Sequence, residues 1–132
     1  MLDWFKRTFV GWSSVWDELF ENAKAPFIPR PINYMPLDQS WEALPNLTIM
    51  GDAAHVMPPF AGEGANMAML DALELSSNLS SDKYDSLKDA IAAYETSMRH
   101  RAAAATKESL VNGEMMHSTT ALQDMLALFN QH

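Results

Sequence analysis

The chain has 132 residues, nine Lys and Arg against seventeen Asp and Glu, a net charge of −8 and no cysteine. That length holds one domain at most, the charge repels phosphate backbones and anionic lipid, and the lack of thiols removes disulfides, thiolate nucleophiles and zinc-thiolate sites. No apolar run approaches the roughly 20 residues of a membrane span, and Met1-Leu2-Asp3-Trp4 lacks a basic region followed by an apolar stretch, so the expected partners include neither nucleic acid nor membrane and the expected location is cytoplasmic.

Leu2, Phe5, Phe9, Trp12, Trp16 and Leu19 recur at alternating spacings of three and four. The pattern predicts one amphipathic helix over residues 3–23, its aromatic stripe packed into a core, with Gly11 weakening it modestly and permitting close contact. From Ala25 to Pro45 the prolines 26, 29, 31, 36 and 45 rule out helix for most of the stretch and suggest an edge strand near 32–35. Asp38-Gln39-Ser40-Trp41 reads as a turn leading to a short buried strand at 47–50.

Next comes a run that builds a ligand site. Gly51 lets backbone approach closely, Asp52 sits at the strand's carboxyl end, and Pro58 with Pro59 fixes two φ angles and removes two N–H donors. Gly62 and Gly64 restore freedom just before a helix whose first amides have no internal partners and attract an anion or a polarised oxygen. Ala65, Ala68, Met69, Ala72, Leu73 and Leu79 support that helix to about residue 79, where Ser80-Ser81-Asp82 ends it. Ser86-x-x-Asp89 resembles a capping box opening a long helix through Leu87, Ile91, Tyr94 and Met98 to about residue 110, with Gly113 as the stop. Thr120-x-x-Gln123 is a second such pattern, opening a final helix through Leu122, Met125, Leu126 and Phe129.

Gly51-Asp52-Ala53-Ala54-His55, then Pro58-Pro59 and Gly62-x-Gly64-x-Asn66, resembles the second flavin-binding motif of single-component FAD-dependent monooxygenases of the para-hydroxybenzoate hydroxylase type. Met57-Pro58-Pro59-Phe60-Ala61-Gly62 and Asp71-Ala72-Leu73 look nearest to the tetracycline-inactivating members, which links the chain to antibiotic resistance. The resemblance covers only the carboxyl-terminal third of such enzymes, and no Gly-x-Gly-x-x-Gly turn for the pyrophosphate is present. The expected fold is therefore an α/β-derived, mainly helical fragment. Residues 1–36 end a substrate domain with a helix and edge strand, 37–112 form the carboxyl-terminal part of an FAD/NAD(P)-binding domain, and 113–132 form a carboxyl-terminal helix.

The resemblance implies FAD as cofactor, NAD(P)H as its reductant, and an oxidoreductase that hydroxylates an aromatic or polyketide substrate with oxygen. It assigns cofactor contacts to Asp52, Pro59, Gly62, Gly64, Ala65 and Asn66, and a wall of the substrate pocket to Pro58 and Phe60. Asp52 would accept a hydrogen bond from a ribityl hydroxyl, and the helix start at 62–66 would stabilise charge near the flavin N1. A capping or surface aspartate is the alternative for Asp52, a cap the alternative for Asn66. His55 reads as structural, since a metal needs three or more convergent ligands and only Asp52 and Glu63 are nearby. No catalytic or metal-binding residue is assigned. The expected partners are the missing amino-terminal portion and a small-molecule substrate; the competing expectation is a non-enzymatic helical interaction module that self-associates.

Overall fold

The computed structural model describes residues 2–24, 26 and 28–130, in two compact units, Met1–Pro31 and Ile32–His132. In the first unit two short helices, α1 (Leu2–Thr8) and α2 (Val15–Asn22), replace the single helix expected over 3–23. Gly11 breaks it: its φ of 89° lies outside the helical region, and a Cβ there would meet nothing within 4 Å, so the glycine serves a turn and not a close contact. The aromatic stripe folds onto itself instead of facing a core. Phe5 stacks on Phe20 with centroids 4.4 Å apart, Phe9 meets Trp12 at 4.6 Å, and Lys6 pairs with Glu21 at 2.6 Å. Trp4, Trp12 and Trp16 stay exposed. The Leu2 side chain of the expected stripe, and Ala25 at the start of the proline-rich stretch, lie outside what is described.

The second unit is helical. A single turn, α3 (Asp52–His55), and a 3₁₀ turn (Pro59–Ala61) precede α4 (Gly64–Leu79), α5 (Leu87–Met116) and α6 (Ala121–Phe129). Helix α5 is the spine: α4, the 3₁₀ turn, α3 and α6 all contact it. Its buried positions Ile91, Tyr94, Met98, Ala102, Ala105, Ser109 and Gly113 recur every three to four residues and trace one face, which the buried Ala90, Glu95 and Thr106 broaden. Tyr94 and Met98 are fully buried with Ala54 of α3, and Trp41 and Leu75 close over them. Burying a side chain of Met98's size stabilises by roughly 1.5–3 kcal/mol.

The α5 start follows the expected cap: the Ser86 side chain accepts from the Asp89 amide at 3.2 Å, and its hydroxyl donates to Asp89 Oδ2 at 2.6 Å. Its end does not. The helix runs through Gly113 to residue 116, and the missing Cβ makes room for the Phe60 ring. At α6 the Thr120 hydroxyl donates to Asp124, 2.8 Å away, in place of the expected pairing with Gln123.

Neither expected strand forms, and among the described residues there is no strand at all. A strand needs a second chain segment to take its alternate N–H and C=O groups. Near 32–35 the Met35 amide finds one partner, the Val56 carbonyl at 2.9 Å. Residues 47–50 are tethered to α5 from the side, the Thr48 hydroxyl donating to Glu95 Oε1 (2.8 Å) and the Tyr94 hydroxyl to the Ile49 carbonyl (3.2 Å). Leu47 is 61 % exposed, so the expectation of burial fails there too. Among the described residues no helix is long and apolar enough to cross a membrane.

Candidate cofactor site

Gly51 turns the chain into α3 with φ 59° and ψ −142°, a conformation that disfavours any side chain. A Cβ at this position would stand 3.3 Å from Ala68 Cβ, so the corner rests directly on α4. Ala68 shares a helix face with Gly64, four residues earlier. Asp52 follows Gly51 directly at this corner.

Asp52 is the first residue of α3, with Gly51 at the N-cap and no side-chain capping bond. The capping alternative is thus not realised. Its carboxylate is exposed and takes no hydrogen bond from a described residue. Asn66 is likewise not a cap: Glu63 holds that position, makes no side-chain cap, and leaves the Gly64, Ala65 and Asn66 amides without helical acceptors. The first helical bond runs from the Met67 amide to the Glu63 carbonyl at 2.9 Å. Sixteen residues of α4 aligned behind these donors amount to about half a positive unit charge at their tip.

Between the two lies the proline turn. Pro58 is buried, and its carbonyl accepts the Ser109 hydroxyl at 2.5 Å; Pro59 is exposed and opens the 3₁₀ turn. Gly62 closes that turn with φ 70° and its amide on the Pro59 carbonyl. The Phe60 carbonyl accepts the Asn112 side chain at 3.3 Å, and its half-buried ring meets His117 edge-on at 5.2 Å.

Beneath these residues runs a buried polar network that the motif reading did not find. Asp71 of α4 is 1 % exposed and accepts from the Gly51 amide (2.9 Å), His55 Nε2 (2.5 Å) and Arg101 Nη2 (3.0 Å). Arg101 also binds Glu74 and the Ser97 hydroxyl. Burial pushes the Tyr94 hydroxyl well above its usual value, and the Asp71 charge adds to the effect. The sequence shows only that Asp71 lies among apolar positions of its helix and that Arg101 heads an alanine run, so each buried charge needs a partner that the sequence does not name. His55 is buried against Asp71. Among the described residues no cluster of three or more His, Cys, Asp or Glu side chains could hold a metal ion.

Residues 44–109 match the FAD binding domain family. The chain belongs to that family. The chain is 38 % identical over 80 residues to the FAD-dependent monooxygenase phnB of Penicillium herquei, covering 59 % of the chain and 20 % of the relative. It is 38 % identical over 84 residues to a kynurenine 3-monooxygenase of Xanthomonas euvesicatoria, covering 64 % and 18 %. With 6-methylsalicylate 1-monooxygenase atA of Aspergillus terreus it shares 33 % over 90 residues, covering 67 % and 20 %. The chain spans about a fifth of the length of these relatives. The match takes in α3, the proline turn, α4 and all of α5 that contacts them up to residue 109.

Proposed function

We propose that this chain is the carboxyl-terminal, flavin-contacting part of an FAD-dependent monooxygenase that hydroxylates an aromatic or polyketide substrate. One observation carries the reading: within one family-matched segment the Asp52 carboxylate is exposed with no partner among the described residues, and the amides at 64–66 have no helical acceptors. A flavin offers hydroxyl donors along its ribityl chain and an electron-rich edge at N1 and the C2 carbonyl, so a free acceptor in the same segment as a cluster of free donors suits it.

In this reading Asp52 accepts from a ribityl hydroxyl and sets how deeply the ring enters. The Gly64, Ala65 and Asn66 amides, backed by α4, hold the negative charge that reduction places near N1. Gly62 and Gly64 keep side chains away from the ring, and Pro59 lines its edge. Phe60 forms the substrate-side wall, with the buried Pro58 fixing its backbone through Ser109. Bound FAD, reduced by NAD(P)H, supplies the oxygen chemistry, and the protein orients it and excludes water.

The names of the relatives, which include a kynurenine and a 6-methylsalicylate monooxygenase, support an aromatic substrate. The Met57–Gly62 stretch favours a tetracycline-like polyketide and a part in antibiotic resistance. A companion amino-terminal portion supplies the pyrophosphate turn and most of the substrate pocket. The exposed Leu47, Ile49 and Met50, with their unladdered backbone, suit its docking.

Absorbance of the purified chain after incubation with FAD and gel filtration tests the proposal, alone and with the amino-terminal portion added. Retained yellow colour in either mixture is expected; a colourless protein in both overturns it. The second reading, a self-associating interaction module, draws on the exposed Trp4, Trp12 and Trp16 and on a groove of about 260 Å³ between Trp41, Leu44, Leu47 and Ile49. A multimeric mass in solution together with indifference to FAD would favour it.

A further inference from the structure

The turn that presents Asp52 cannot hold itself. Four residues lie far below the length at which a helix persists in water, and the bonds inside α3 are three: Ala54 and His55 amides to the Gly51 carbonyl at 2.9 Å, and the Val56 amide to the Asp52 carbonyl at 3.1 Å. Asp52 itself has no side-chain partner among the described residues, so the turn's backbone alone decides where its carboxylate points.

We propose that Asp71 is the positioning residue for this site, clamping both ends of the Asp52 turn with one carboxylate oxygen; the proposal rests on the flavin reading above. Oδ2 accepts from the Gly51 amide just before the turn at 2.9 Å and from His55 Nε2 at its last residue at 2.5 Å. Oδ1 accepts from Arg101 at 3.0 Å, and Arg101 is fixed in turn by Glu74 and by the Ser97 hydroxyl at 2.8 Å. Three donors from two other segments therefore converge on one buried carboxylate. The clamp also spans two helices, so α5 restrains the turn through α4. Preorganising a ligand-binding side chain by locking the groups around it is what raises affinity without adding a ligand contact.

Asp71→Asn tests this, because an amide offers an acceptor on one arm only. Whichever way it flips, its NH₂ faces either Arg101 or the Gly51 and His55 donors, and one side of the clamp opens. Amide hydrogen exchange at residues 54–56 of the full chain is expected to quicken at least tenfold while residues 105–110 of α5 stay protected. Ile91→Ala, a core truncation near the start of α5, controls for lost global stability and is expected to speed both regions together. Equal protection at 54–56 in wild type and Asp71→Asn, or a rise matching the Ile91→Ala pattern, overturns the clamp. Should Asp71→Asn fail to fold, His55→Leu removes one arm, leaves Asp71 paired with Arg101, and gives the same readout.

Flavin fluorescence quenching supplies the second arm. The FAD dissociation constant is expected to rise at least tenfold in Asp71→Asn and less than threefold in Ile91→Ala; equal rises assign Asp71 a structural role only and overturn the positioning role. If the wild-type chain takes up no FAD, with or without the amino-terminal portion, the flavin reading fails and takes the positioning role with it, and the exchange data still decide the clamp.

Discussion

The Phe60 ring fills the space that a side chain on Gly113 would need: a Cβ there would stand 2.6 Å from Cδ2 and 2.9 Å from Cε2. This contact fixes the proline turn to α5 from one side while Ser109 and Asn112 hold its carbonyls from the same helix. Gly113→Ala sets two effects against each other. Alanine improves helix propensity by up to ~1 kcal/mol, whereas overpacking costs ~1–3 kcal/mol, so a net loss of about 1 kcal/mol is expected. In a Phe60→Ala background the clash is gone and the same change should stabilise. Urea unfolding of the four proteins checks the cycle, and a stabilising Gly113→Ala in the wild-type background would refute the packing account.

Arg101 is the counter-charge of two carboxylates, Asp71 and Glu74, and its own side chain is 24 % exposed. Arg101→Met keeps the stem's volume and strands the buried Asp71 charge beside a neutral partner. Breaking a buried pair on one side costs ~3–5 kcal/mol, and the partial exposure places this one near the lower end. A loss below about 1 kcal/mol in chemical unfolding would contradict a network that needs its guanidinium.

Ser86 satisfies the Asp89 amide at the start of the thirty-residue α5. Ser86→Ala is expected to cost about 1 kcal/mol, and Ser86→Gly only a few tenths. Calorimetry of the pair separates lost capping from any side-chain truncation. Equal losses would show that the hydroxyl does not act as a cap.

Tyr94 carries the pH prediction. Burial holds its hydroxyl protonated in the folded chain beyond the pH at which an unfolded tyrosine, with a pKa of 10.0, ionises. The unfolded state then binds fewer protons than the folded one, so the contribution is complete below about pH 10 and is lost as pH rises above it. Lys6 and Lys88, whose pKa values are raised by their Glu21 and Glu42 partners, act in the same direction and remain in a Tyr94→Phe variant. Stability measured from pH 9 to 11 should fall more steeply in wild type than in Tyr94→Phe. Parallel curves would contradict the burial of this hydroxyl.

Helices α4 and α5 were readable because each carries its own boundary signals, Gly64 and Ser80 around α4, Ser86 and Asp89 at α5, whereas the single turn α3 carries none and was not expected. What the sequence hid depends on distant partners. Gly113 looked like a stop because glycine usually ends helices, and only the position of Phe60, 53 residues away, shows why it sits inside one. Residues 47–50 have a strand's composition without a ladder, since pairing is a property of two segments. The aromatic spacing at 5, 9, 12 and 16 fits a continuous helix, and a single positive φ at Gly11 redirected it. The assignment of Asp52 and the 64–66 amides to the proposed site rests on a local motif. The Asp71 clamp joins positions 51, 55, 71 and 101 and has no local signature.

Titration of FAD fluorescence against the chain, alone and with the proposed amino-terminal portion, is the most direct measurement of the central claim, with Asp52→Ala run in parallel. Saturable quenching by wild type and at least a tenfold weaker dissociation constant for Asp52→Ala, at unchanged thermal stability, is the expected result. Equal affinity of the two proteins for FAD, or no quenching by either, would contradict the assignment of a flavin to the Asp52 carboxylate and the amides of α4.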